Sequence, residues 1–452
     1  MNRSPFILHR SAGGTAGAWS MLVIVLFAFL AVQEVLRLDY WRSSRTLNWD
    51  VEGYYHYLPA LFVHGDLCHL GFVGEENRTL HPRGEQTWYG VTHIERTGCD
   101  VLKYTCGTAL FELPLFLVAH GWMRWSDPMN ATGYSPPYQL AVALSSILFV
   151  GLGLLLLRRS LLRHLGDRDT AIALLVLALG TNLFFYSTHD SGMSHGYLFF
   201  LFAAVIDLTE RWHRHPTVRL SALLGLVIGL ILLTRPVDVL VAIVPLLWPG
   251  SPGADRTRIR THLLVALAFL ALAVVPQVLY WRATTGQFIY YSYGDEGFDF
   301  TSPHILQGLF SYKKGWFVYS PLVLLGFIGL VAMWKDPRSR RIAVPLLVFF
   351  PIMWYVVFSW ALWWYGGGFG CRPLVETLAL LALPIGHLAR WVRHRPTAVI
   401  AMFAMIIIAG IMLNRLQQFQ FQQGILHWDS MTSERYWEIF GRRTNDGLRP
   451  FP

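Results

Sequence analysis

Apolar runs close to the length of a bilayer crossing recur along the whole chain, and nothing else in it restricts the fold so strongly. A helix needs roughly 18 or more such residues to pass through the hydrocarbon. Stretches 19–36, 138–157, 170–186, 194–208, 218–233, 237–248, 261–280, 320–334, 342–358, 374–388 and 397–413 reach or approach that length, 237–248 being the shortest. Only 14% of the residues are charged, where a soluble protein carries about a quarter. The reading is an all-α polytopic membrane protein of about eleven transmembrane helices. The net charge of +9 then reports topology and not nucleic-acid binding, because basic residues collect in cytoplasmic loops. No small-residue cleavage site follows 19–36, so the first apolar run is read as a retained helix.

One stretch decides the topology of the rest. The segment 105–122, TCGTALFELPLFLVAHGW, is almost long enough to span. With the N-terminus inside and this segment left out of the count, the connections 158–168, 211–219, 256–260, 335–341 and 390–395 face the cytoplasm. Each of them holds three or four Lys or Arg, as the positive-inside rule requires. Counting 105–122 as a span would turn all five outward. Glu112 and Pro114 also argue against lipid, so the segment is read as a re-entrant or surface-lying helix. The chain is then one membrane domain, 1–452, without repeats. Its first extracytoplasmic loop is 37–137, its further outer loops are 282–319 and 359–373, and its tail, 414–452, is extracytoplasmic.

This topology gathers a polar set on one side of the bilayer. Asp50 and Glu52 stand in NWDVEGYYHYLP, just beyond the first helix. In a helix, Asp50 and Tyr54 share a face and Glu52 points elsewhere. An acid at a bilayer edge can take a proton from an arriving acceptor; taken alone, the same stretch also reads as an interfacial aromatic belt with His56 among its rings. The outer side adds His81, His93, Asp100 and Lys103, the turn STHDSGMSH with His189, Asp190 and His195, and TRPVD with Arg235 and Asp238. Later loops bring Lys313, Lys314, Trp364, Tyr365, Arg372 and Glu376. Fixed cations stabilise a phosphate leaving group and keep a neighbouring carboxylate anionic, while aromatic faces suit sugar C–H bonds. That combination fits transfer of a group from a lipid-linked phosphate. The acids of GDEGFDF are compatible with a divalent ion but follow no ion-binding loop pattern; no metal or other cofactor is expected. Cys68 and Cys99 fall in one outer loop, where they pair in an oxidising compartment and stay thiols otherwise.

These features together resemble the polytopic, lipid-carrier-dependent glycosyltransferases of the GT-C fold, the group of the protein O-mannosyltransferases and the aminoarabinose transferases. The marks that carry the resemblance are a first helix, an acidic motif opening a long outer loop (WDVEGYYHYLP), and a basic residue leading into a surface helix (KYTCGTALFELPLFLVAH). A multi-span body with turns such as THDSGMSH and LTRPVD follows. The resemblance implies Asp50 as the catalytic or acceptor-binding acid and Lys103 as a contact to the carrier phosphate. Relatives often have adjacent Asp-Glu and Lys-Pro-Pro at these places. Here Asp-Val-Glu leaves both Asp50 and Glu52 open as the base, and Lys-Tyr-Thr replaces the second motif.

The function expected on this basis is inverting transfer of a hexose or pentose from a polyprenyl-phosphate carrier to an extracytoplasmic glycan, lipid or protein. Arg235 and Arg372, backed by Lys313 and Lys314, join Lys103 on the phosphate. Tyr54, His56, His189, Asp190, His195, Trp364, Tyr365 and Glu376 are the expected sugar and acceptor contacts. The expected partners are the lipid-linked donor, the acceptor and membrane lipids, without nucleic acid. The expected place is a bacterial inner membrane, with the site on the periplasmic face. Two rivals belong to other classes. A transporter or flippase would show mid-bilayer charges and repeated halves, and neither is visible in the sequence. A membrane acyltransferase or glycan ligase would use His189 or His195 as base.

Overall fold

The computed structural model describes residues 17–80, 89–249, 256–337 and 339–447; His81 lies outside them. Among the described residues, five helices are long and apolar enough to cross a membrane: Ala18–Leu38, Pro136–Leu161, Ile259–Thr285, Arg340–Phe358 and Thr397–Gln422. Three shorter apolar helical segments are Val218–Thr234, Pro236–Leu247 and Val323–Lys335. Asp167–Leu179, Ser194–Arg214 and Leu378–Arg393 occupy the interior, and residues 194–199 and 201–210 of the second are all buried. The expected helical membrane architecture is therefore present. The count of eleven crossings is not reached on length and apolarity alone.

Where the helices depart from the apolar runs, polar side chains are the reason. The run 170–186 breaks into Asp167–Leu179 and Leu183–Thr188. At the break the Thr181 hydroxyl donates to the Leu177 carbonyl at 2.7 Å. The Asn182 backbone N–H donates to Ser320 Oγ at 3.2 Å, and the Asn182 amide donates to the Cys371 carbonyl at 3.3 Å. These bonds replace helical partners that the break removes. Val218–Thr234 ends because Pro236 drives the residue before it out of the helical region; Arg235 is extended, with φ −153° and ψ 106°. The last helix runs past residue 413 into the expected tail, where Asn414 donates to the Tyr319 carbonyl at 2.6 Å.

Close helix contact rests on glycine. Gly225 and Gly229, one turn apart on Val218–Thr234, meet the backbone of Ala266 and Leu270 on the Ile259–Thr285 helix. A Cβ at position 229 would lie 2.7 Å from the Leu270 carbonyl oxygen. Small residues at this spacing let two helices approach backbone to backbone in lipid, where packing drives association.

The first loop is more elaborate than an all-α reading anticipates. It holds an antiparallel hairpin, Val91–Ile94 paired with Cys99–Leu102. A disulfide joins Cys68 to Cys99, and Cys106 and Cys371 are free thiols. The segment read as surface-lying forms one helix, Gly107–Ser126, continuous through Pro114. It is not among the five long apolar helices, and its Glu112 is buried in protein, accepting from the Tyr197 hydroxyl at 3.4 Å.

Charged groups mark the two ends of the bundle. At one end Arg163 Nη1 lies 2.8 Å from Asp207, His164 lies 2.6 Å from Glu210, and Arg393 lies 3.0 Å from Asp169. Along the helix Ser194–Arg214, Asp207 and Glu210 lie roughly 20 Å from Ser194 and His195. The opposite end carries the candidate site.

Candidate active site

The helix Asp50–Tyr55 begins at the predicted acid, so the Asp50 carboxylate sits where backbone N–H groups favour negative charge. Gly53 faces the Tyr104 ring so closely that a Cβ there would lie 2.6 Å from it. This contact brings Tyr104 to Asp50. Asp50 Oδ1 accepts hydrogen bonds from Tyr89 at 2.6 Å and Tyr104 at 2.7 Å. Oδ2 faces Arg372 Nη1 at 2.9 Å. Burial pushes the Asp50 pKa up, but the Arg372 guanidinium and the two tyrosine hydroxyls outweigh it and hold the carboxyl below its ordinary 3.8.

Arg372 is delivered by the glycine-rich loop before it. Gly368 fits between the Tyr186 hydroxyl and the Arg372 stem, and a Cβ there would meet both. Tyr186 donates to the Phe369 carbonyl at 3.0 Å, and Lys314 Nζ donates to the Gly368 carbonyl. Lys314 is only 3% exposed. Burial, then Arg372 beside it, lowers its pKa to about 7. Asp190 stands in the same electrostatic neighbourhood. Burial raises its pKa to about 6 despite Arg372, with Asp50 adding to the rise and Lys314 opposing it.

Two further cations flank this centre. Lys103 follows the hairpin directly, 3.3 Å from Glu296 and 4.9 Å above the Tyr293 ring. Arg235 lies 2.6 Å from Glu376 and 5.3 Å from the Tyr365 ring, with Asp238 at 3.6 Å. Glu376 also holds His195 Nδ1 at 3.0 Å. Tyr54 links the groups: its ring lies 4.5 Å from that of Tyr104, and its phenol is in electrostatic range of Asp50, Arg372 and Arg235. Burial, then Asp50, keeps that phenol protonated.

The single constellation expected from sequence therefore needs correction. Asp50, Tyr54, Lys103, Asp190, His195, Arg235, Lys314, Tyr365, Arg372 and Glu376 form one connected network. Glu52 does not join Arg372: it is fully buried, with Tyr134 as an electrostatic neighbour. His56 is buried against the same Tyr134, its Nδ1 2.9 Å from the hydroxyl, and burial lowers its pKa to about 3. Both lie on the far side of the helical turn from Asp50. His189 stacks on Phe185 and lies 3.2 Å from Glu34 of the first helix. Lys313 sits 3.8 Å above the Trp364 ring and 3.1 Å from Asp429, in a second group.

Tyr89, Tyr104 and Tyr293 were not singled out from sequence. The available signal was Tyr104 directly after Lys103 in KYTC. Among the described residues, no three His, Cys, Asp or Glu side chains converge as a metal-binding group. The Asp50 carboxylate is satisfied by two hydroxyls and a guanidinium.

No protein-family model matches the chain, and no curated protein matches it. Solved structures do. The apo oligosaccharyltransferase of Archaeoglobus fulgidus superposes with a TM-score of 0.54 at 13% identity, covering 96% of this chain. The archaeal oligosaccharyltransferase AglB of that organism, in complex with an inhibitory peptide and a dolichol-phosphate, superposes with a TM-score of 0.53 at 14% identity. This chain spans 60% of each of those chains. The shared fold is the GT-C glycosyltransferase fold that the sequence resemblance implied.

Proposed function

We propose that this protein is a membrane glycosyltransferase that moves a sugar from a polyprenyl-phosphate carrier to an acceptor, with Asp50 as the base. The observation that carries the reading is the Asp50–Arg372 contact at 2.9 Å, which puts an anionic proton acceptor against a buried cation. In the step, the acceptor O–H or N–H attacks the anomeric carbon and its proton passes to Asp50. The bond from that carbon to the carrier phosphate breaks, and the phosphate leaves with the electron pair. The anomeric centre is inverted. Arg372, Lys314, Lys103 and Arg235 neutralise the charge that grows on the leaving phosphate. Tyr54, Tyr365 and Tyr293 supply ring surface beside them.

The AglB structure holding a dolichol-phosphate and a peptide supports a lipid-phosphate donor and a separate acceptor for this fold. The hexosyl or pentosyl character of the sugar, the bacterial inner membrane and the periplasmic face complete the proposal. The histidine-based alternative has less behind it, since His189 stacks on Phe185 and faces Glu34 of the first helix at 3.2 Å, apart from the Asp50–Arg372 contact. The test is purified protein incubated with a panel of polyprenyl-phosphate sugars, following release of carrier phosphate. Asp50→Asn lowers turnover by about 10³-fold, the usual scale for a lost general base. Turnover preserved in that variant removes Asp50 from the mechanism.

A further inference from the structure

Both oxygens of Asp50 are already engaged. Tyr89 and Tyr104 cap Oδ1, and Arg372 holds Oδ2. Three of the roughly four acceptor positions of the carboxylate are taken, and the guanidinium on Oδ2 lowers the basicity of the oxygen that would have to face an acceptor hydroxyl. The same guanidinium is the cation placed for the carrier phosphate, next to Lys314 on the Gly368 carbonyl. Asp50 is 14% and Arg372 19% exposed at the side chain, so their contact is shielded from water and competes in earnest with an incoming anion.

Resting on the glycosyltransferase reading, we infer that the carrier phosphate and Asp50 compete for Arg372, so that donor binding itself frees Oδ2 of the base. Tyr89 and Tyr104 are the positioning residues that keep the carboxylate in place once Arg372 has turned to the phosphate. The two hydroxyls lie 3.0 Å from each other, and Tyr104 is wedged between Gly53 and the Tyr54 ring. Their hold on Oδ1 does not depend on Arg372. The arrangement imposes an order: donor first, then acceptor deprotonation. It also suppresses proton abstraction from water or alcohols while no donor is bound.

The competition makes a prediction opposite in sign to ordinary loss of a site residue. An anion that must displace a bound competitor has its apparent affinity reduced by the fraction of time the site is free. Asp50→Asn keeps the shape and the tyrosine hydrogen bonds but removes the competing charge. The full-length protein in detergent is titrated with farnesyl phosphate, a short isoprenyl phosphate carrying no sugar. Asp50→Asn binds it about tenfold more tightly than the parent protein. Arg372→Gln binds it more weakly. Tyr104→Phe leaves its affinity unchanged or weaker and lowers kcat with little change in the donor KM, which general loosening of the fold would not produce.

Equal or weaker binding in Asp50→Asn overturns the competition while leaving Asp50 free to be the base. Turnover retained in Asp50→Asn overturns the base reading, and the farnesyl phosphate titration still decides the competition. Should Asp50→Asn fold poorly, Asp50→Ser in the same titration carries the same expected tightening and the same overturning result.

Discussion

Asp50 is a carboxylate whose neighbours keep it charged, and that fixes the sign of its pH dependence. Its pKa in the folded protein lies below 3.8, so the base is ready at all higher pH and is lost only as pH falls through the depressed value. The acid limb of kcat/KM is expected below pH 3.8 and moves upward in Arg372→Gln; a pH–rate profile checks both. Asp190, raised to about 6, gives a separate limb near that pH, which disappears in Asp190→Asn. Lys314 works in the opposite sense. Its pKa of about 7, set by burial and Arg372, with Lys313 in the same direction and Asp429 and Asp190 against it, means its charge fades as pH rises through neutrality. Binding of the carrier phosphate is expected to weaken across that interval by severalfold, and Lys314→Arg, charged throughout, flattens the dependence. At this scale the sequence is readable where charge is out of place in an apolar chain. Asp50, Arg235, Lys314 and Arg372 stand out for that reason. Tyr89 and Tyr104 do not, because tyrosine near a bilayer edge is ordinary and only folding brings both hydroxyls to one oxygen. Glu52 and His56 mislead for the converse reason: they share a motif with Asp50, but a turn of helix sends them to Tyr134.

Helices were legible by length and their breaks were not. The run 170–186 looks continuous because Gly180, Thr181 and Asn182 are tolerable in a helix. What breaks it is the offer of partners from Ser320 and Cys371, far away in sequence. The hairpin 91–102 escaped for a similar reason, being two four-residue strands in a long polar loop. The GLVIG spacing at Gly225–Gly229 is the reverse case, a local signal with a local meaning that only the facing helix makes visible. Gly225→Ile would force its side chain into the Ala266 backbone. The expected cost is about 1–3 kcal/mol, seen as a lower unfolding temperature of the detergent-solubilised protein while farnesyl phosphate affinity is kept. An unchanged unfolding temperature would mean that these two helices do not meet as closely as described.

Across the whole molecule, the basic connections and the polar network occupy opposite ends, which turns a charge rule into a statement about sides. A single reporter cysteine at Ala131, in a background with Cys106 and Cys371 replaced by serine and Cys68–Cys99 intact, is expected to react with an impermeant maleimide added outside intact cells. One at Pro216 is expected to react only after permeabilisation; the reverse pattern inverts the chain. The architecture was legible because bilayer crossing imposes its own length on a sequence. Length and apolarity alone do not fix the number of crossings, because an interior helix such as Ser194–Arg214, counted as a crossing from the sequence, carries Asp207 and Glu210. The tie from Asn182 to Ser320 and Cys371 has a last consequence, for tempo. Cys371 adjoins Arg372, so the backbone bearing the guanidinium is moored to the bundle interior. Its change of partner is then a rotation about side-chain bonds and not a swing of the loop that would take microseconds or longer. The turnover clock is left to the chemical step and to exchange of the lipid carrier at the site.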